Sequence, residues 1–415
     1  MSEDNIFSGL KVLDIASFIA GPSATTILAD FGAEVIKVEP PGIGDGYRIL
    51  HKVPPNPVAT ENYTWQLTNR NKRGMALNLK SAASADVLSR LVKWADVLVT
   101  NYPRKARQSL KLTYADVAPL NPRLIYADVT GYGTRGPEAD LPGFDITAYW
   151  ARSGLMASTR DAGSPPTLPI PGIGDHATAT TLYASIVTAL FRRERTGKGA
   201  HVSASLLAEG IWAAATWVQG ALAGGKFYGT HDRMAPPNPL INPYRTSDDR
   251  WFLIVTEPKD WERLAQGIER PDLLADPRFA DVRKIIANSR VLTGILDKLF
   301  SSKPLEHWRE VLDRIRVPYG VVKTPEEVAH DPQVLANEVI VPVEGATGQL
   351  KFTVASPITV EGVQKVKPTR APELGEHNDE VLGELGYTPE QIAGLRKQGA
   401  IPEQPAPLAV AGGAR

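Results

Sequence analysis

Lys11-Val-Leu-Asp-Ile15, a helical run over 22–31 and Glu34-Val-Ile-Lys-Val-Glu39 open the chain on a strand, helix, strand rhythm. The runs are short and rich in Val, Ile and Leu, and glycine or proline interrupts them, as strands of a buried sheet require. The rhythm continues with a predicted helix over 82–95 and strands over 96–100 and 124–129. Such alternation predicts an α/β fold on a parallel, doubly wound sheet. Glycine turns at Ala20-Gly21-Pro22, Pro41-Gly42-Ile43-Gly44 and Thr130-Gly131-Tyr132-Gly133 follow the strand ends. Open α/β sheets bind ligands at those carboxyl ends.

The texture changes further along. An alanine-rich helix is predicted over 204–224, and Gly224-Gly225 with Pro236-Pro237-Asn238-Pro239 marks a boundary. Residues 225–324 read as a smaller α/β domain, with a strand over 251–256 and helices over 261–268 and 282–300. From Pro325 the chain returns to strands, at 350–354 and 358–360, and to a helix at 379–385. Residues 404–415, rich in Ala, Gly and Pro, read as a flexible tail.

Composition narrows the chemistry. Lys plus Arg and Asp plus Glu each total 46 in 415 residues, so no global field draws the chain to nucleic acid or an anionic membrane. Cysteine is absent, which removes disulfides, thiolate metal sites and cysteine nucleophiles together. Covalent chemistry must then fall to a carboxylate, hydroxyl or lysine. The start, Met1-Ser-Glu-Asp-Asn-Ile-Phe7, is acidic and lacks an apolar leader core, and no run approaches a membrane span, so a cytoplasmic location is the expectation.

Two stretches carry the candidate chemistry: Leu141-Pro-Gly-Phe-Asp145 and Pro171-Gly-Ile-Gly-Asp175-His176. A helix is predicted from His176 to about residue 195, with Leu182, Ile186, Leu190 and Phe191 as its apolar stripe and Asp175 as its N-cap. There the first-turn N–H groups and the helix dipole would keep the carboxylate ionised, and the glycines keep bulk away from it. Such a carboxylate suits covalent attack on an activated acyl group. Asp is equally one of the commonest N-caps, so capping alone also explains it. Asp145 has two readings of similar weight, a partner of Asp175 or the cap of its own helix. His176 titrates near neutrality but reads better as a first-turn residue.

Further blocks occur in order: Phe7-Ser-Gly-Leu-Lys-Val-Leu-Asp14, Gly32-Ala-Glu-Val-Ile-Lys-Val-Glu-Pro-Pro41, Asn71-Lys-Arg73, Gly131-Tyr-Gly-Thr-Arg-Gly-Pro137, Arg195-Thr-Gly-Lys-Gly199 and Arg370-Ala-Pro-Glu-Leu-Gly-Glu-His377. With the two stretches above, this set resembles the family III CoA-transferases, the group of formyl-CoA transferase and α-methylacyl-CoA racemase, over roughly residues 7–387. The Leu-Pro-Gly-Phe-Asp and Pro-Asn-Pro segments are most similar to the branch of cinnamoyl-CoA:phenyllactate and succinyl-CoA:3-sulfinopropionate CoA-transferases. The resemblance implies a Rossmann-like large domain built from both chain ends (1–224 and 325–403), a small domain (225–324) and an interlocked homodimer. It implies transfer of CoA from a donor acyl-CoA, with succinyl-CoA as one candidate, to a small organic acid, with CoA thioesters as substrates and no permanently bound cofactor or metal.

The same resemblance matches Asp175 to the acylated nucleophile and places Asp145 and Phe144 in its pocket. It matches Leu77 and Lys80 to CoA-contacting positions, Asn101, Tyr102 and Ala106 to the loop at the adenine and phosphate end, and Ile19 and Ala20 to the loop beside the thioester. Where formyl-CoA transferase has arginines near the CoA phosphates, this chain has Pro40 and Ser109, which leaves Arg48, Arg104 and Arg107 as substitutes. The proline-rich segment 234–243 stands where that enzyme has a glycine-rich loop over the nucleophile, and implies a stiffer lid. Two alternatives stay open. An acyl-CoA racemase needs an acid/base pair at the α-carbon, and the family's racemase has His where this chain has Phe144. A non-catalytic acyl-CoA-binding module leaves the approachable Asp unexplained. A dinucleotide-dependent dehydrogenase is disfavoured, because Ile15-Ala-Ser-Phe-Ile-Ala-Gly-Pro22 supplies no Gly-x-Gly-x-x-Gly.

Overall fold

The computed structural model describes residues 5–227, 232–346 and 348–403. The expected tail, 404–415, lies outside them. The described chain forms two compact units, one of residues up to 155 with 168–218 and 332 onward, the other of 156–167 with 219–331. These boundaries fall a few residues from the expected 224/225 and 324/325, and 156–167 joins the second unit.

The first unit is built on six strands: β1 (Lys11–Ile15), β2 (Glu34–Glu39), β3 (Arg73–Ala76), β4 (Val97–Thr100), β5 (Ile125–Thr130) and β6 (Ala200–Ser205). All pair in parallel, in the order β3-β2-β1-β4-β5-β6. The order reverses between β1 and β4, so their carboxyl ends diverge and leave a crevice. Alternate residues serve opposite faces. Leu13, Ile15, Ile36 and Val38 pack with α2 (Ser84–Trp94) and with Val381, Leu382, Ile392 and Leu395 from the C-terminal helices. Val12, Val35, Val97 and Ile125 pack instead with α1 (Ala20–Asp30) and the helix Ile173–Thr196.

β3 and β6 escaped the sequence reading because Arg-Gly-Met-Ala and Ala-His-Val-Ser-Ala-Ser carry few of the β-branched and aromatic residues that mark strands. Neighbouring strands impose them. β3 is an edge, and the C-terminal segment closes it. The Gly74 N–H donates to His377 Nδ1 at 3.1 Å, the Ala76 N–H to Asn378 Oδ1 at 2.8 Å, and the Asn78 N–H to the Ala400 carbonyl at 2.8 Å. Other expectations need correction. Ala20-Gly21-Pro22 is the first turn of α1 rather than a separate turn. The helix expected over 204–224 is two, Leu206–Ala213 and Ala215–Leu222, broken at Ala214. Residues 358–360 form no strand.

In the second unit β7 (Ile241–Arg245), β8 (Trp251–Val255) and β9 (Tyr319–Val321) form an antiparallel sheet. It covers a core of Phe252, Phe279, Leu292, Leu296, Phe300 and Trp308. The helix expected over 282–300 breaks at Asn288 into Val282–Ala287 and Ser289–Phe300. The proline-rich segment runs into β7, and the Tyr244 hydroxyl donates to the Pro239 carbonyl at 2.7 Å.

Beneath the carboxyl ends of the large sheet lies a buried charge cluster. Asp14 and the Lys37 and Lys72 side chains have no exposure, and Lys72 Nζ sits 2.9 Å from Asp14 Oδ2. Lys37 Nζ lies 3.1 Å from Asp45 Oδ2 and donates to the Ala16 carbonyl. Burial alone would raise the Asp14 pKa, but the two ammonium groups outweigh it and hold the carboxyl below its usual value. Each charge has partners, which such burial demands. Removing one leaves others uncompensated, so Asp14→Ala is expected to destabilise the large unit by about 3–5 kcal/mol. Thermal denaturation of the variant against wild type checks it; an unchanged transition would contradict the account.

Candidate active site

The crevice at the strand ends holds a cavity of about 650 Å³. Its walls come from the segments after β1, β4 and β5, from 141–146 and from 171–175. Of the residues singled out in the sequence, Ile19, Ala20, Asn101, Tyr102, Arg104, Phe144, Asp145 and Asp175 line it. Leu77, Lys80, Tyr102 and Ala106 line a second cavity of about 470 Å³ with Pro40 and Pro41, so Tyr102 borders both. Phe18, Lys105, Ile146 and Leu206 also line the first. Sequence reasoning missed them, because an apolar or lone cationic residue carries no signal until the fold says what it faces.

Asp175 is not an N-cap. The helix α3 (Ile173–Thr196) starts earlier than expected, capped by Gly172 at φ 93, and Asp175 is its third residue. The cap interaction comes from elsewhere. Asp145, almost fully buried, accepts hydrogen bonds from the Gly172 N–H at 2.6 Å and the Gly174 N–H at 3.0 Å. It thus satisfies two N–H groups at the start of α3, not those of the π-helical turn Asp145–Ala151 on which it sits. Glycine is required for this approach. A Cβ at Gly174 would lie 2.3 Å from Asp145 Oδ1 and from the Tyr149 ring, and Gly172 holds a left-handed conformation.

The expectation of a fully ionised Asp175 also needs correction. Burial, then the charge of Asp145, push its pKa up to about 7. A first-turn position favours the anion by about 0.3–1 kcal/mol, less than one pKa unit, so the helix dipole loses. Burial raises Asp145 too, against its two N–H bonds. His176 is shifted down, by burial and then by Arg70, and its Nδ1 lies 3.4 Å from Ser23 Oγ.

The loop after β1 is clamped from both sides. Asn101 Oδ1 accepts from the Ser17 N–H at 2.9 Å while its amide donates to the Ser17 carbonyl at 2.7 Å. The Phe18 N–H donates to Asp45 at 3.0 Å, which holds Phe18 at φ 64, an uncommon conformation for a bulky residue. Asn101 is therefore a brace for the cavity rim. Of the three arginines considered as phosphate ligands, Arg48 is bound to Glu39 at 2.7 Å and stacked 3.7 Å over Trp65. Arg107 pairs with Asp128. Arg104 is exposed, 2.9 Å from Asp140, and donates to the Thr134 carbonyl. Lys80 is exposed at the second cavity.

The model of CoA-transferase family III matches residues 7–378. This chain belongs to that family. It is 32% identical over 403 residues to the cinnamoyl-CoA:phenyllactate CoA-transferase of Clostridium sporogenes, covering 95% of this chain and 96% of that one. It is 33% identical over 392 residues to the (R)-2-hydroxy-4-methylpentanoate CoA-transferase of Clostridioides difficile, covering 93% and 97%. Among solved structures it is similar to a CaiB/BaiF family protein from Brucella suis, with a TM-score of 0.82, 28% identity and coverage of 92% and 100%. The protein is accordingly a CoA-transferase, an enzyme whose substrates are CoA thioesters and carboxylic acids. No helix among the described residues is long and apolar enough to cross a membrane.

The raised Asp175 pKa has a measurable sign. The folded state holds this proton between the unfolded value of 3.8 and about 7, so its stabilising contribution is full below 3.8 and is lost as pH rises through 7. Infrared difference spectra of wild type against Asp175→Asn should show a protonated carboxyl that disappears with a midpoint near pH 7. Asp145→Asn, which removes the second charge, should move that midpoint to lower pH. A midpoint near pH 4 in the wild type would refute the assignment.

Proposed function

We propose that this enzyme moves CoA from a donor acyl-CoA to a carboxylic acid by way of covalently acylated Asp175. The observation that carries the reading is the position of Asp175, a half-buried carboxylate on a glycine-flanked helix start at the switch-point cavity. Its ionised form attacks the donor thioester carbonyl, giving a mixed anhydride and CoA thiolate. The thiolate attacks the aspartyl carbonyl and releases the donor acid, leaving an aspartyl-CoA thioester. The acceptor carboxylate attacks this thioester, forming a second anhydride and freeing the thiolate, which takes the acceptor acyl group and restores Asp175. A pKa near 7 makes the carboxylate a stronger nucleophile than an ordinary aspartate, at the cost of an ionised fraction of about one half at neutral pH.

Backbone N–H groups of the glycine turns stabilise the tetrahedral intermediates. Phe144 walls the cavity beside Asp145 and limits water at the anhydride. Leu77, Lys80 and Ala106 hold the nucleotide end of CoA at the second cavity, with Tyr102 at the junction and Ile19 and Ala20 beside the thioester. Arg104, exposed and paired only at the surface, meets the phosphates; Arg48 and Arg107 are occupied elsewhere. The relatives named above act, by their names, on phenyllactate and 2-hydroxy-4-methylpentanoate. A human relative is a succinyl-CoA:glutarate enzyme, so succinyl-CoA stays among the donors to try. The reading includes an interlocked homodimer, consistent with Trp212 and Leu222 at 76% and 77% exposure in the single chain, and a cytoplasmic location.

Asp175→Ala is expected to abolish transfer and keep the fold, since loss of a first-turn carboxylate costs only about 0.3–1 kcal/mol. Wild type treated with donor acyl-CoA and hydroxylamine should carry a hydroxamate at Asp175, read by peptide mass spectrometry; substantial transfer by the variant would end the proposal.

The phenyl ring of Phe144 offers no proton, so a 2-methylacyl-CoA incubated in deuterium oxide without acceptor should gain no α-deuterium. Phe144→Ala should raise hydrolysis relative to transfer. Rapid α-exchange would favour a racemase instead.

A further inference from the structure

The walls of the second cavity extend the apolar core of the large unit. Leu77 belongs to the buried cluster that includes Leu13 and Ile36, and Leu79, Tyr102 and Leu110 pack against that cluster. Pro40, Pro41 and Pro103 line the same space. Apolar walls with one aromatic ring suit the flat face of an adenine. They do not suit a phosphate, which is gripped by free backbone N–H groups or by a guanidinium fork.

Donors of both kinds are scarce here. The three prolines have no N–H to give. The Leu77 N–H donates to the Glu39 carbonyl at 2.9 Å and the Asn78 N–H to the Ala400 carbonyl at 2.8 Å. The Lys80 N–H donates to Asn78 Oδ1 at 3.2 Å, and the Tyr102 N–H to the Thr100 hydroxyl at 3.2 Å. Leu110 and Gly399 donate theirs to the Ala106 and Arg396 carbonyls. Among the described residues that line this cavity, Lys80 is the one charged side chain, and it is exposed. Arg104 and Lys105 line the first cavity and not the second. Arg48 and Arg107 are held by Glu39 and Asp128.

A CoA thioester carries phosphate at two places, a diphosphate in the arm that leads to the thiol and a single 3′-phosphate on the adenosine ribose. We propose that this enzyme does not select for the 3′-phosphate, and that 3′-dephospho-CoA and its thioesters bind nearly as well as CoA and its thioesters. This rests on the reading that the second cavity holds the nucleotide end. Arg104 and Lys105 then meet the diphosphate, while the ribose phosphate is left with Lys80 and water. An exposed ion pair of this kind changes an affinity by less than about fivefold. Recognition comes from the adenine face and from the arm that passes Tyr102, which borders both cavities.

Free CoA and 3′-dephospho-CoA, which carry no acyl group to transfer, are titrated calorimetrically into the wild-type protein. Their dissociation constants should differ by less than about fivefold. A larger loss on removal of the 3′-phosphate would overturn the proposal. Ala106→Trp, which fills the second cavity from the helix Arg104–Ser109, should weaken both coenzymes together while the thermal transition stays in place. If both affinities survive that change, the nucleotide end lies elsewhere and the reading of the second cavity fails, whatever the wild-type ratio. If both fall and wild type still rejects 3′-dephospho-CoA, that reading stands and the proposal alone fails. Pro40→Arg, at an exposed position on the same cavity, supplies a guanidinium and should turn the ratio toward CoA by roughly tenfold or more. An unchanged ratio in this variant would place the ribose phosphate away from Pro40 and overturn the proposal.

Discussion

A cluster of buried charges lies under everything the large unit does. Asp14 sits on β1, Lys37 on β2 and Lys72 just before β3, so two neighbouring strands and the segment leading into a third are tied together. Asp14 also accepts from the Ala16 N–H and the Thr25 hydroxyl, which joins β1 to α1. Asp45, held by Lys37, reaches back to Phe18. The loop on one side of the crevice thus takes its shape from charges that never touch water. Buried ion pairs are weak evidence for stability when compared with apolar packing, but they punish misalignment strongly. Register of the loop is what this one supplies.

The opposite wall relies on a single carboxylate. By accepting from Gly172 and Gly174, Asp145 joins the π-helical turn to α3 and sets where Asp175 begins its turn of helix. Its charge also adds to burial in raising the Asp175 pKa, so the carboxylate that sets the position of the group contributes to its acidity. Gly131 and Gly143 allow the two supporting loops to meet, since a Cβ on Gly131 would come within 2.7 Å of the Gly143 Cα. Gly143 is therefore a space for backbone, whereas Gly172 and Gly174 leave room for the Ile19, Asp145 and Tyr149 side chains.

Much of the fold was legible, for a physical reason. β1, β2 and β4 are rich in Val, Ile and Leu because both faces of a parallel sheet are covered, and that enrichment survives as a sequence signal even where Asp14 and Lys37 interrupt it. β3 and β6 are edge strands held by neighbours, which no local pattern encodes. The residues that the resemblance singles out as a candidate site all line one of two cavities. Their electrostatics were not. Asp175 looks ionised when only its own helix is considered; burial and a charge thirty residues away decide otherwise. The identity of the cap failed likewise, because a side chain from a remote segment can replace the local one.

The closure of β3 by residues 377–400 orders events during synthesis. Asn378 lies 302 residues beyond Ala76, and nothing nearer in the chain supplies those bonds. Until the last part of the polypeptide has emerged, the first strands present an open edge, with Leu13, Ile36 and Met75 lacking the cover of Val381, Leu382 and Ile392. The unit of residues 156–167 and 219–331 has its own core and can form in that interval. The large unit then completes its own sheet and core. Contacts so far apart in sequence make its completion slow, and the waiting edge is the surface at which a newly made chain is most exposed to aggregation.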